Sequence, residues 1–182
     1  MDGAVVWITG LAASGKTTFM EALGSDLRSH GLHPVQLDGD ALRRIFRSER
    51  MAYDYEGRLA LGRQYSDLCQ LLAGQGHVVL IATIALFHEV HQKNRKDLPN
   101  YLEVLMDTPL EVVRARDPKS LYSRQSNDDG SEVVGISWDA EFPRHPDFRI
   151  PPSAGDYELG LESVLNRIVS ICDKDAESGR TT

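Results

Sequence analysis

A glycine-rich stretch near the start of the chain contains the residue types that bind phosphate groups. Residues 10–17 read GLAASGKT and match the full pattern G-x-x-x-x-G-K-[ST], with the apolar run VVWIT before them and the amphipathic run FMEALGSDL after them. Glycines allow a tight turn, and N–H groups at a helix start attract phosphate oxygens. Lys16 would reach the β- and γ-phosphates, and Thr17 would bind Mg²⁺. The predicted nucleoside triphosphate site comprises Gly10, Ala12, Ala13, Ser14, Gly15, Lys16, Thr17 and Thr18.

A second polar cluster follows the next apolar run. Residues 37–44 read LDGDALRR, which places Asp38 and Asp40 close to Arg43 where a strand should meet a helix. In a doubly wound sheet, ligands bind at this carboxyl edge of the strands. One carboxylate could accept the proton of an attacking hydroxyl group and help to position Mg²⁺, and Arg43 could pair with an anionic substrate group. The alternative is structural: Asp40 caps a helix and Asp38 lies in a turn.

Other classes of nucleotide-binding and metal-binding protein fit the sequence poorly. Residues 54–57 (DYEG) match the Asp-x-x-Gly of GTPases only by letters, because they follow a polar run, and residues 94–97 (NRKD) displace the basic residue of the guanine-reading motif. The apolar run VVLIATI ends without the Asp that motor-type ATPases carry there. Residues 88–91 (HEVH) lack the H-E-x-x-H spacing of a zinc site.

The apolar pattern along the chain predicts the elements that position these residues. Short apolar runs alternate with longer amphipathic stretches, which is typical of β–α units on a parallel sheet. We therefore predict an α/β fold with three layers. Strands are expected at residues 5–9, 34–37, 77–84, 101–106 and 147–150, and helices from about residues 16, 40, 56, 88 and 109, with a last helix at about 157–172.

Length and composition indicate one domain. A chain of 182 residues, 41% of them hydrophobic, is of a size that folds around a single core. We assign this domain to residues 1–173 and expect a disordered tail at 174–182. A mobile flap is expected at about 116–136, where the polar run SRQSNDDGSE lacks apolar periodicity. The net charge of −7 argues against general nucleic-acid binding, which needs a basic face.

The cysteines and the apolar runs predict a cytoplasmic protein. Cys69 and Cys172 lie in apolar helical patterns, and we expect two reduced thiols rather than a disulfide. The first residues carry no positively charged leader, so a signal peptide is not expected. The longest apolar run is too short to span a bilayer, and we expect no membrane association.

The sequence resembles the adenylylsulphate kinases. The resemblance lies in the phosphate loop GLAASGKTT, the LDGD-x-x-R element, the run IATI, the block DTPLEVVRARDPKSLY at residues 107–122, and the segments at 134–136 and 143–146. It implies a P-loop kinase fold with a five-stranded parallel sheet and a mobile flap, and a homodimer. It also implies transfer of the γ-phosphoryl group of ATP to the ribose 3′-hydroxyl of adenosine 5′-phosphosulfate or a close relative, with Mg²⁺ as cofactor.

The resemblance further implies roles for individual residues. The catalytic set would be Lys16, Asp38, Asp40 and Lys119. Mg²⁺ would be held by Thr17 and Asp38, and ATP would also contact Arg114 and Arg116 at the start of the flap. The acceptor nucleotide would contact Asp38, Arg43, Phe46, Arg58, Ile84, Phe87 and Lys119. Without the resemblance, Arg114, Arg116 and Lys119 would be interpreted as an ordinary solvated face.

The acceptor half departs from the family pattern. The family carries E-N-I-R-R on the helix after the acidic turn, whereas residues 56–60 read EGRLA, without the Asn and both closing arginines. Arg58 could replace one of these arginines or could be a solvated helix residue. The family's Ser-Pro-aromatic-Arg segment is replaced by ALFH at residues 85–88, and its stacking Phe falls at Val133. Since an aromatic platform contributes about 1–3 kcal/mol per base in single-stranded nucleic-acid sites, its loss should weaken or change base selection.

Three functions therefore remain open. The first is a divergent adenylylsulphate kinase that stacks the base on Phe46, Phe87 or Trp138. The second is a kinase for another nucleotide conjugate, because the FHEVH run is similar to a subgroup that acts on cytidine diphosphoramidate in capsular polysaccharide modification. The third is a non-catalytic regulatory protein that binds ATP. Retention of the acidic turn argues against the third, since a protein that only binds ATP has no use for a base.

Overall fold

A parallel sheet forms the centre of the structure, a computed structural model that describes residues 3–46, 55–116 and 139–178. In these residues five strands pair in the order β2-β3-β1-β4-β5, all parallel. The strands are β1 (Ala4–Thr9), β2 (Val35–Asp38), β3 (Val78–Ala82), β4 (Tyr101–Met106) and β5 (Phe148–Ile150). The helices are α1 (Lys16–Ser29), α2 (Gly39–Ile45), α3 (Tyr55–Ala73), α4 (His88–Asp97), α5 (Leu110–Arg116) and α6 (Ala154–Ser178). The predicted α/β class and five-stranded parallel sheet are confirmed.

Two hydrophobic cores lie on the two faces of this sheet. Side chains alternate between the faces of a strand, so β1 contributes Val5 and Trp7 to one core and Val6 and Ile8 to the other. The first core is completed by α3 and α4, and the second by α1 and α6. All six side chains of β1 are buried, as expected for a central strand covered by helices on both faces.

The ends of some elements differ from the sequence expectation. Strand β3 stops at Ala82, and residues 83–87 continue without regular secondary structure. Helix α6 begins earlier than expected because Ser153 accepts hydrogen bonds from the backbone N–H groups of Asp156 and Tyr157, which satisfies two donors of the first turn. The same helix continues through residues 174–178, which the sequence assigned to the tail. The expected flap, apart from Arg116, and residues 179–182 lie outside the described residues.

The two cysteines are thiols, as expected. Cys69 is fully buried in the first core, and burial raises the pKa of its thiol to about 12. A thiol that stays protonated at neutral pH is a poor nucleophile, so Cys69 is a packing residue. No helix in the described ranges is long and apolar enough to cross a membrane.

A buried polar cluster connects α4 to β4. Glu103 on β4 is 3% exposed, accepts a hydrogen bond from the Tyr101 hydroxyl at 2.8 Å, and lies 2.9 Å from Nδ1 of His91. Arg95 on α4 pairs with Glu103 at 3.3 Å and with Asp147 at 2.7 Å. A carboxylate is tolerated here because it is paired and hydrogen-bonded.

Replacing this carboxylate should destabilise the protein. Glu103→Gln keeps the shape of the side chain but removes the charge that Arg95 and His91 contact, and hydrogen bonds to charged groups contribute about 1.5–3 kcal/mol. We expect a loss of that size in the free energy of unfolding, measured by urea denaturation. Glu111→Gln, at an exposed position on α5, is the matched control. Equal stability of the two variants would contradict the role assigned to the cluster.

Candidate active site

The glycine-rich loop connects β1 to α1, as the motif predicts. The backbone has positive φ angles at Gly10 (+146°), Ala13 (+60°) and Gly15 (+95°), and Gly15 is the N-cap of α1. These angles turn the chain tightly at the carboxyl end of the central strand. The loop therefore ends at a helix N-terminus, where backbone N–H groups are available to an anion.

Lys16 lies within this loop rather than in solvent. Its side chain is 8% exposed, and Nζ donates to the Leu11 carbonyl at 2.5 Å and to Ser14 Oγ at 3.4 Å. A solvated lysine on a glycine-rich turn would make neither contact. The ammonium is thus held where the loop would bind phosphate oxygens.

Neighbouring elements support the loop from the other side. Thr108, after β4, donates from Oγ1 to the Ser14 carbonyl at 3.2 Å. Leu11 packs against Leu86 and Val113 in a small third core, which joins the loop to α5 and to the segment before α4. The loop conformation is therefore fixed by contacts distant in sequence as well as by its glycines.

A substitution at Gly10 should disrupt the loop. A Cβ there would lie 2.7 Å from the Met106 carbonyl oxygen and 2.9 Å from Ser14 Oγ, at a φ that side chains rarely adopt. Such backbone strain costs about 1–3 kcal/mol, so we expect Gly10→Ala to lower the unfolding midpoint and weaken ATP binding. Gly31→Ala is the matched control, because Gly31 also has a positive φ (+77°) but has nothing within 4 Å. Normal ATP binding by Gly10→Ala in calorimetry would contradict this prediction.

The acidic turn meets the phosphate loop through one hydrogen bond. Thr17 Oγ1 donates to Asp38 Oδ2 at 3.0 Å, across 21 residues of sequence. The other oxygen, Oδ1, accepts from the backbone N–H groups of Asp40 and Ala41, both at 3.0 Å. Asp38, and not Asp40, is therefore the N-cap of α2. The capping role that the structural alternative gives to Asp40 therefore belongs to Asp38 through Oδ1, whereas Oδ2 contacts the phosphate loop.

Tyr65 on α3 approaches the same turn from the core. Its hydroxyl donates to the Gly39 carbonyl at 3.2 Å. Burial raises the pKa of Tyr65 to about 12, while Arg43, which hydrogen-bonds the phenol oxygen, acts in the opposite direction. The sequence indicated a core helix residue at this position and missed the contact. The available signal was a tyrosine on an apolar helix face, since a buried hydroxyl needs a partner.

Residues 140–142 line the start of α4. Glu141 Oε2 accepts from the backbone N–H of His88 at 2.6 Å, and the Glu141 N–H donates to the Leu86 carbonyl at 3.2 Å. The His88 ring nitrogen Nε2 lies 3.0 Å from the Phe142 carbonyl. These contacts span more than 50 residues of sequence, and the motifs gave no indication of Glu141.

The remaining residues that were predicted to contact the acceptor differ in how deeply they are buried. Phe87 is 2% exposed, belongs to the first core and packs edge-on against Tyr55 at 5.1 Å, so its burial does not fit a base-stacking role. Phe46, Arg58 and Ile84 are half-buried.

The donor-side arginines and the flap residues complete the predicted set. Arg114 and Arg116 are exposed on the last turn of α5, whose Val113 packs toward the phosphate loop. Lys119, Val133 and Trp138 lie outside the described residues. The structure thus joins the loop of Lys16 and Thr17 to Asp38 through the Thr17–Asp38 hydrogen bond, and it places Asp40 and Arg43 on α2, the helix that Asp38 caps.

Comparison with known proteins extends over this whole region. A model of the adenylylsulphate kinase family matches residues 2–151. The cytidine diphosphoramidate kinase of Campylobacter jejuni is 37% identical over 140 residues, which cover 77% of this chain and 80% of that protein. The adenylyl-sulfate kinase of Chloroflexus aurantiacus is 36% identical over 176 residues, covering 93% and 94%. Among solved structures, the Mycobacterium tuberculosis APS kinase in complex with AMPPNP and APS has a TM-score of 0.81 at 30% identity, covering 92% and 98%.

Proposed function

Because the chain belongs to the adenylylsulphate kinase family, whose members are phosphotransferases with a hydroxyl acceptor, we propose that it transfers the γ-phosphoryl group of ATP to the ribose 3′-hydroxyl of a nucleotide 5′-conjugate. The observation that carries the proposal is the Thr17–Asp38 hydrogen bond. It joins the phosphate-binding loop, which holds the donor, to an acidic turn at the carboxyl edge of the sheet, where the acceptor would bind.

Mg²⁺ fits the oxygen atoms at this junction. Thr17 is exposed and uses its proton to hydrogen-bond Asp38, which leaves the hydroxyl lone pairs available for a cation. The described residues contain no group of three His, Cys, Asp or Glu side chains that could hold a metal. That suits Mg²⁺, which is commonly bound by one or two protein oxygens together with substrate phosphates and waters. Thr17 and Asp38 would hold the ion, which would neutralise charge on the phosphates.

The chain supplies the remaining requirements of phosphoryl transfer. The acceptor oxygen bonds to the γ-phosphorus, the bond from that phosphorus to the bridging oxygen breaks, and ADP leaves. The acceptor proton passes to a carboxylate of the acidic turn, and Asp38 is the one in contact with the phosphate loop. Lys16 stabilises charge on the phosphates, and Arg43 binds an anionic group of the acceptor. Lys119 and Arg116, at the proposed flap, would add positive charge on the donor side.

Two acceptors have separate support. Adenosine 5′-phosphosulfate is favoured by the extent of the family match and by the similar structure solved with APS. Cytidine diphosphoramidate is favoured by the Campylobacter jejuni relative at 37% identity and by the changed acceptor half. Leu59 illustrates that change. It occupies a position where the family has an arginine, but its side chain is 5% exposed and packs in the first core.

A panel of acceptors tests the proposal. ADP release would be followed with MgATP and adenosine 5′-phosphosulfate, cytidine diphosphoramidate, CDP, or no acceptor. Preference for the adenosine conjugate indicates sulfate activation, and preference for the cytidine conjugate indicates polysaccharide modification. Product analysis by NMR should place the new phosphate on the 3′-hydroxyl. ATP binding without turnover of any acceptor would reject the kinase proposal in favour of a regulatory ATP-binding protein.

We further propose a homodimer that acts in the cytoplasm. The proposal of a dimer rests on the family resemblance, and the proposal of the cytoplasm rests on the requirement for ATP. Light scattering after size-exclusion chromatography measures the mass of the oligomer directly. A mass near 20.3 kDa, that of one chain, would reject the dimer.

A further inference from the structure

The Tyr65 side chain contacts α2 near its beginning, middle and end. The hydroxyl donates to the Gly39 carbonyl at 3.2 Å and is hydrogen-bonded by Arg43. The ring lies 6.0 Å from the ring of Phe46, tilted by 51°. Tyr65 itself is 3% exposed, so these contacts are made from the core outward.

Helix α2 needs such support from outside. It has seven residues, and Leu42 is the one buried member of the helix. A helix of this length is not stable by itself in water, so packing must hold it in place. The same helix carries Asp40 and Arg43, and its N-cap is Asp38. Whatever fixes α2 therefore also fixes the side chains proposed to meet the acceptor.

Packing alone does not explain why this buried position carries a tyrosine hydroxyl. Burying a hydroxyl group is unfavourable unless it is hydrogen-bonded, and a phenylalanine would fill the same space against Phe46. Here both contacts of the hydroxyl are to the acidic turn and to α2. Because the phenol stays protonated at neutral pH, it can donate to Gly39 while it accepts from Arg43.

We propose that Tyr65 is a positioning residue for the acceptor: it sets the Gly39 peptide beside Asp38 and orients the guanidinium of Arg43 toward the acceptor's anionic group. This inference rests on the proposed function, since it needs an acceptor that Arg43 binds. None of the family motifs found in the sequence includes residue 65. The residues that position the acceptor would therefore extend from α2 into α3.

Steady-state kinetics of Tyr65→Phe test the proposal, with the acceptor that the panel selects. We expect kcat/KM for the acceptor to fall about tenfold, because the Arg43 contact to the phenol oxygen is lost, while KM for ATP stays unchanged. Tyr157→Phe is the matched control, because Tyr157 packs edge-on against Phe19 in the second core and should leave both values unchanged. Parallel loss of ATP and acceptor binding, together with a lower unfolding midpoint, would show structural support only and overturn the proposal.

A double-mutant cycle tests whether Tyr65 acts through Arg43. If it acts partly through Arg43, Tyr65→Phe in an Arg43→Ala background lowers acceptor kcat/KM by a smaller factor than it does in the wild-type background, because only the contact to Gly39 is left to lose. If kcat/KM in the double variant falls by the product of the factors measured for the two single variants, Tyr65 and Arg43 act independently, and the proposal is overturned.

A measurement independent of turnover separates this inference from the proposed function. The protein would be labelled with ¹³C at tyrosine Cζ, and the Tyr65 resonance would be assigned from its absence in the spectrum of Tyr65→Phe. At neutral pH, Arg43→Ala should shift the Tyr65 resonance and leave the Tyr157 resonance unchanged. An unshifted Tyr65 resonance would reject the positioning contact whatever the kinetics show. Absence of wild-type turnover across the panel would instead reject the kinase function, and with it the acceptor role of Tyr65, even if the resonance shifts.

Discussion

Lys16→Ala is expected to lower kcat by about 10²–10³-fold or more, because it removes a preorganised positive charge from the phosphate-binding loop. Nζ lies inside the loop, where it donates to the Leu11 carbonyl and to Ser14 Oγ, so the ammonium is already close to the place where the phosphates would bind. No other lysine of the described residues lies in this loop. Single-turnover kinetics with saturating MgATP and the preferred acceptor would measure the loss.

Two further variants make this result specific. Lys96→Ala removes an exposed lysine on α4 and should retain wild-type turnover. Lys16→Arg keeps the charge but introduces a planar, larger group into a buried position, and we expect it to lose most activity as well. Full activity of Lys16→Ala would contradict the assignment of the loop.

Asp38→Asn should reduce kcat by about 10²–10⁴-fold while changing ATP affinity far less. Asparagine caps a helix about as well as aspartate, so Oδ1 can still accept from the N–H groups of Asp40 and Ala41, and α2 should remain in place. What the substitution removes is the negative charge beside Thr17 and the ability to accept a proton. Calorimetric ATP binding and kcat, measured on the same variant, separate these effects.

Comparison with other aspartates defines the role further. Asp173→Asn, at an exposed position on α6, is the surface control and should have no effect. Asp40→Asn tests the second carboxylate of the turn, and the variant with the larger fall in kcat identifies the proton acceptor. Asp38→Ala should in addition lose about 1 kcal/mol of stability, since the cap is removed. Equal loss of kcat and ATP affinity in Asp38→Asn would make Asp38 a binding residue.

Local patterns in the sequence determined the donor half of the site and the order of the elements. The phosphate loop is one contiguous motif between a strand and a helix, so its glycines and the elements that it joins were predictable from adjacent residues, while the contacts of Thr108 and Leu86 that support it were not. The strands were predicted because parallel strands buried on both faces have nearly continuous apolar runs, such as VVLIA in β3. Sequence patterns of this kind act over a few residues, so they predict the order of the elements, although the ends of β3 and α6 differ from the prediction.

The tertiary structure decided which distant residues meet and which are covered. Thr17 reaches Asp38 across 21 residues, Tyr65 reaches Gly39 across 26, and Glu141 reaches His88 across 53. Phe87 follows a buried strand and could have faced either a base or the core, and packing against Tyr55 and the first core covers it. Periodicity predicts which residues are apolar on one side of an element, but partners across the sheet depend on how helices from distant parts of the chain pack. That packing, rather than any local pattern, shapes the region proposed to bind the acceptor.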